Sequence, residues 1–283
     1  MRKLDAKVIA GLILLALLTG TALAEPWLVH IWTGPHSPTT IGAFSVFAKP
    51  SWRHPLGTDR YGRDTLALVL LGLRNSLAVG AIAGVIGSAA GIVVGFISGY
   101  LGGWTDAALR TATDAWLVIP TFPLLAVLAA YVKVVTLAEL SVILAIFSWP
   151  FAARAIRAQV LSLRERPYID MARMSGERTL EVIFTEILPN MLPYLGVGFA
   201  ASVIGAIVAL VGLAIIGIGA ANAITLGTLL NFGISWGVMS LGLWEIIVVP
   251  GLLLVVIFVS LNLINFGLEE MYNPRLQGVT TGR

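Results

Sequence analysis

The chain has 283 residues, 58% of them hydrophobic, and its 18 Lys and Arg and 15 Asp and Glu make only 12% charged. A soluble domain carries about 25%, so this one cannot clothe a water-exposed surface, and several of its apolar runs reach the ~20 residues that cross a bilayer. An ordinary soluble enzyme, a disordered chain and a β-sandwich are excluded, and the net charge of +3 reads as loop arginines obeying the positive-inside rule rather than as nucleic-acid binding.

Uncharged apolar stretches at 8–24, 77–101, 115–132, 140–153, 187–218 and 246–268 predict an all-α polytopic membrane protein with six transmembrane helices. Membrane-barrel strands would alternate apolar and polar residues, which these runs do not. Residues 1–24 combine a basic start with Ala22-Leu23-Ala24. They read as a first transmembrane helix, with a cleaved signal peptide as the competing reading; both deliver residue 25 to the same side.

Residues 25–75 form an outer segment expected to hold an amphipathic helix from about Tyr61, with Thr58 and Asp59 as caps and Arg63 with Asp64 anchoring it at the headgroups. Whether it docks a partner or is merely structural is left open. The core of five further helices spans 76–268. In the link GYLGGWTDAALR, Gly102 and Gly103 permit a turn and Asp106 is spaced to pair with Arg110. Pro120 and Pro123 should kink the third helix.

Residues 154–190 form the largest loop, with six arginines around apolar Val160, Leu163, Ile169, Met171 and Ala172. A helix is expected to end at Gly176, another to start at Thr179, and the fifth crossing to begin at Pro189. Physics alone leaves two readings, a docking knob for a partner or a solvated basic loop. Gly196, Gly198, Ala200, Ser202 and Gly205 suit close packing around a pathway, and none is assigned as a substrate ligand. From Ile187 to Trp244 there is no charge, and the stretch after the fifth helix reads as interfacial or re-entrant on the outer side, with Asn222, Asn231, Ser235 and Trp236 near the headgroups. Residues 269–283 make a tail. With the N-terminus inside, twelve Lys and Arg fall in the cytoplasm and six (Lys49, Arg53, Arg60, Arg63, Arg74 and Lys133) outside, so both termini are expected in the cytoplasm of a cell-membrane protein.

Catalytic equipment is missing. None of the four lysines (Lys3, Lys7, Lys49, Lys133) follows a glycine, so no Walker A loop exists and any ATP must be bound by another chain. Mid-membrane ionisable groups, which ion-coupled transporters need, are absent from the predicted spans. Ser88, Ser98, Ser202 and Ser260 have no base to activate them. There are no cysteines, and His30, His36 and His54 form no i,i+4 pair, so no catalytic residue, metal site or cofactor is expected in this chain.

Asp170, Met171, Ala172, Gly176, Leu188 and Pro189 resemble the cytoplasmic loop of ABC importer permeases, which reads Glu-Ala-Ala, three residues, Gly, then Leu and Pro. HPLGTDRYGRDTLALVLLGLRNSL, with His54, Pro55, Leu56, Gly57, Thr58, Asp59, Gly62, Arg63 and Asp64, is similar to the fingerprint of the C-type permease in dipeptide, oligopeptide and nickel importers. GYLGGWTDAALR and the tail NLINFGLEEMYNPRL match the same branch, so the resemblance covers nearly everything from residue 54 onward. After the fifth helix the chain departs from the Pro-rich segment of many relatives and looks more like archaeal oligosaccharide importers. The resemblance implies a type I importer fold that carries oligopeptides or oligosaccharides. It also implies a homologous second permease, two ABC ATPases holding ATP and magnesium, and an extracellular solute-binding protein. A short helix around Tyr168–Glu177, with Arg173 as a rim charge and Met171 and Ala172 as buried contacts, would sit in an ATPase groove and act as a lever. A stand-alone secondary transporter or channel is the alternative.

Overall fold

A computed structural model describes residues 6–34, 36–131, 136–220 and 223–272. Lys133, Asn222 and the terminal stretches 1–5 and 273–283, about which expectations were stated, lie outside the described residues. Every element found among the described residues is helical. In chain order they are α1 (Ala6–Leu23), α2 (Glu25–Thr33), α3 (Thr65–Leu101), α4 (Gly103–Val118), α5 (Thr121–Tyr131), α6 (Leu137–Arg164), α7 (Pro167–Met174), α8 (Thr179–Glu181), a π-helical stretch Val182–Ile187, α9 (Leu188–Ile215), α10 (Leu226–Ser235) and α11 (Glu245–Tyr272).

By length and composition α1, α3, α6, α9 and α11 can each cross a membrane. The pair α4 and α5, bent by 75° at its break, supplies a sixth span if the two are one crossing. The bend falls at Ile119–Pro120, because a residue before proline is pushed out of the helical region and Ile119 is extended.

Hydropathy marked where helices cross; it did not mark where they end. The helix expected from about Tyr61 starts at Thr65, is capped by Asp64 and runs unbroken into the second crossing as a 37-residue helix. Likewise α6 runs past the membrane-like stretch to Arg164, so the 154–190 loop has helix at both margins. Helical structure entering α9 already begins at Thr179, and α11 continues four residues beyond 268. Arginines at a helix end interrupt an apolar run without breaking a helix, which is why the sequence boundaries fell short.

Without a hydrophobic drive between helices in lipid, packing depends on close approach of small residues. The largest helix pair, α3 with α6, is built this way. Gly87, Gly91, Gly95 and Gly99 recur every fourth residue on α3, and α6 lies directly on them. A Cβ at Gly91 would stand 2.5 Å from Ala152 Cβ and 2.8 Å from Trp149 O, and one at Gly95 2.8 Å from Ala153 O. The same device seats α1 on α11: a Cβ at Gly11 would lie 2.6 Å from Ser260 O, while Leu18 and Ala22 are buried with Ile257 and Leu261. Lys7 pairs with Glu270 where these two helices end. The signal-like segment is therefore a constituent of the bundle. In the uncharged stretch after α9, α10, capped by Thr225, tucks Leu226 and Leu229 against α3, α9 and α11, while Ser235 at its end is exposed and Trp236 half-buried.

Candidate coupling and translocation site

At the arginine-rich end, α7 is a separate eight-residue helix. Pro167 opens it with a preset φ. Its close is a Schellman motif: Glu177 N–H donates to Ala172 O (3.2 Å) and Gly176 N–H to Arg173 O (3.1 Å), with Gly176 at φ +86°. The expected stop at Gly176 and restart at Thr179 are therefore where the helices turn.

One face of α7 is fastened to the bundle. Ile169 and Ala172 are buried beside Phe96 of α3, Ile156 and Val160 of α6, Val182 and Ile187 of the π-helical stretch, and Met191 of α9. Tyr168 and Leu188 pack at the edge of this cluster, and Pro189 is exposed in the first turn of α9. Arg173 lies over the Tyr100 ring at 5.4 Å and 3.8 Å from Asp170, while Arg164 Nη1 donates to Gly99 O at 2.9 Å, closing the end of α3. The other face is bare: Met171 is 65% and Met174 87% exposed, with Glu177 also exposed. Ala172, expected as a contact for a partner, is spent inside this chain, because the i to i+3 spacing from Ile169 turns it inward.

A groove of about 840 Å³ opens between α5, α6 and α9. Its α9 wall is a stripe of small residues, Gly198, Ser202, Gly205 and Ala209; nothing lies within 4 Å of a Cβ placed at Gly198 or Gly205. Facing it are Phe122 on α5 and Phe147, Phe151 and Gln159 on α6, and no lining residue is charged. The five small residues singled out on α9 therefore divide. Ala200 is buried in the core and Gly196 faces Leu268 of α11.

The 54–64 motif is a knot in the loop at the opposite end. Thr58 Oγ1 donates to Ser45 O (2.5 Å) and accepts from Ala48 N. Asp59 accepts from Tyr61 N (2.8 Å), Arg63 N (2.9 Å) and Arg63 Nε (2.7 Å). Arg63 is buried beneath the rings of Tyr61 and Phe232 rather than exposed at headgroups. Asp64, not Thr58 or Asp59, caps the helix, accepting from Ala67 N at 2.9 Å while its other oxygen meets His54 Nδ1 at 2.7 Å. Asp59 is unavailable as a cap because the Tyr61 and Arg63 amides take one of its oxygens and the Arg63 guanidinium the other. Leu56 packs on the cluster of Leu68 and Leu229, and Pro55 is half-buried. Gly57 and Gly62 have positive φ, and their missing side chains leave room for the carbonyls of Ala48 and Phe44. Gly62→Ala should therefore destabilise this loop by about 1–2 kcal/mol from backbone strain alone. Limited proteolysis between 34 and 64 would detect it, and unchanged resistance would refute the knot.

Sequence spacing misjudged one charge. Asp106 pairs with Arg157 of α6 (Nε–Oδ1 2.5 Å, Nη2–Oδ2 2.6 Å) and accepts from Ser98 Oγ, while Arg110 turns to Asp114. The i,i+4 rule describes an isolated helix; across a helix pair the bidentate arginine wins.

Residues 91–278 match the family model described as binding-protein-dependent transport system inner membrane component. A putative peptide permease protein of Brucella suis is 34% identical over 270 residues, covering 95% of this chain and 87% of that protein. The oligopeptide transport system permease protein OppC of Mycobacterium tuberculosis is 33% identical over 276 residues, 97% of this chain and 92% of that protein. Among solved structures, an inward-facing conformation of the MetNI methionine ABC transporter superposes with a TM-score of 0.56 at 21% identity. It covers 75% of this chain and 96% of that one, a likeness of fold.

Proposed function

Since the chain belongs to the family of binding-protein-dependent transport system inner membrane components, we propose that it forms one half of the translocation pathway of an ATP-driven oligopeptide importer and that α7 is the helix through which ATPase motion enters it. The observation that carries the coupling role is the two-faced build of α7. Ile169 and Ala172 tie it to α3, α6 and α9 at once, whereas Met171 and Met174 are left for a partner. A shift of α7 would therefore move three spans together, two of which wall the groove. The chain supplies no chemistry of its own; ATP and magnesium belong to two ABC ATPases docked beneath α7, with the termini on that cytoplasmic side. A second, homologous permease closes the groove, and a solute-binding protein delivers solute at the end carrying residues 34–64.

Oligopeptide is chosen over oligosaccharide because the relatives above are named as peptide and oligopeptide permeases. An uncharged wall of aromatic and small residues also suits solutes of varied side chains, since it demands no fixed counter-charge. In energetic terms, ATP binding must favour one packing of α7, α3, α6 and α9 by a few kcal/mol over the other.

The absence of native cysteine makes a direct test simple. In a complex purified gently from native membranes, Met174→Cys labelled with a maleimide–benzophenone should photo-cross-link to a P-loop ATPase, while the fully exposed Trp52→Cys carrying the same label should not. Cross-linking of neither, in a preparation that retains the ATPase, would overturn the coupling assignment. Uptake of labelled oligopeptides and not oligosaccharides tests the solute.

A further inference from the structure

Beside the α3–α6 seam and under α4 lies a second, smaller notch of about 320 Å³, lined by Val94, Ser98, Arg110, Asp114, Arg154 and Arg157 among others. It has a floor and a mouth. The floor is the locked pair Asp106–Arg157. The mouth is Arg110 and Arg154, with side chains 63% and 58% exposed, sharing one carboxylate, Asp114. Arg154 hydrogen-bonds Asp114 Oδ1, whereas Arg110 Nε stands 3.6 Å from Oδ2, a charge contact longer than a hydrogen bond. Three guanidiniums against two carboxylates leave the notch with one uncompensated positive charge.

Apolar surface continues from it along the bundle. On α6, Arg157, Ile146 and Val142 fall on one helical stripe. On α3, Val94, Ala90 and Ile86 do the same, and Ile86, Ile146 and Val142 are exposed. A ligand that fits both parts carries an anionic head and hydrocarbon behind it.

We propose that this notch binds the phosphodiester of an anionic phospholipid, with Arg110 and Arg154 on the phosphate and the acyl chains along α3 and α6. Basic pockets between transmembrane helices hold such headgroups. The phosphate replaces water around Arg110 and competes with Asp114, so it cements α4 to α6 where only Thr113 of α4 is buried. Because α4 bends directly into α5, a wall of the groove, lipid occupancy steadies that wall. Which leaflet is meant rests on the orientation given under the proposed function; binding itself does not.

The test uses the full chain, delipidated in detergent, with its thermal unfolding midpoint followed against phosphatidylglycerol, phosphatidylcholine, and glycerol 3-phosphate with inorganic phosphate. Phosphatidylglycerol should raise the midpoint saturably and phosphatidylcholine should not. Arg110→Gln should weaken the phosphatidylglycerol response about fivefold, and Asp114→Asn, which removes the competing carboxylate, should strengthen it by a similar factor. Arg166→Gln, an exposed arginine on α7's flank, should change nothing. Opposite effects of Arg110→Gln and Asp114→Asn cannot arise from a general loss of fold. Equal responses to both lipids, or insensitivity to both variants, would overturn the site; saturation by the soluble phosphates alone would overturn the lipid as its occupant.

Discussion

Gly176→Asp is expected to abolish uptake, by at least about tenfold, in a permease that still inserts, folds and assembles. Gly176 is the left-handed residue of the Schellman turn at φ +86°, where an L side chain costs about 1–2 kcal/mol. A side chain there meets nothing within 4 Å inside this chain, so the bundle has no steric reason to fail. What changes is the angle at which α7 leaves the turn, and a carboxylate is added at a helix C-terminus, where the dipole repels it. Gly176→Val should do the same through β-branched strain without the charge. The measurement pairs solute uptake in vesicles with ATP hydrolysis by the intact complex; hydrolysis that continues without transport is the expected signature. Normal uptake by both variants would remove α7 as the lever.

Gly91→Leu should instead prevent a stable bundle from forming. The α3–α6 seam already brings Ala152 Cβ and Trp149 O within 2.5 and 2.8 Å of where a first carbon would stand. A leucine would force these helices apart along their length and take the packing of Gly87, Gly95 and Gly99 with it, a loss of about 3 kcal/mol or more. Membrane-fraction yield and thermal unfolding in detergent would report it. Gly205→Leu makes the informative contrast: its side chain enters the open groove, so stability should hold while uptake falls. Equal stability of the two variants would mean that the seam is not a close-packed interface.

Much of the protein was legible in its sequence because lipid imposes a simple code. Long uncharged runs must become helices whose backbone groups are satisfied internally, and the six runs correspond to α1, α3, the bent α4–α5 pair, α6, α9 and α11. Local backbone chemistry was equally readable: Gly176 terminates α7, Gly102 and Gly103 carry the turn into α4, and the Pro120 break is where expected. The resemblance of the 154–190 loop and the 54–77 segment led to the family to which the chain belongs.

Partners across space were decided only by the fold. Asp106 took Arg157, 51 residues away, in preference to Arg110 one turn on, because a bidentate arginine on a facing helix offers better geometry than a neighbour on the same helix. Arg63 went under Tyr61 and Phe232 instead of into solvent, since the Asp59 turn carries it inward. Ala172 and Met171 are adjacent in sequence yet end on opposite sides of α7, one inside the chain and one facing outward. The four-residue glycine period on α3 was present in the sequence, but which helix would fill it depended on the tertiary packing. Composition and periodicity thus determined that this is an all-helical membrane protein, with five helices long and apolar enough to cross and a sixth span if α4 and α5 are one crossing. Only the packed structure determined which charges are neutralised within the chain and which side chains stay exposed, because those depend on distances between residues far apart in sequence.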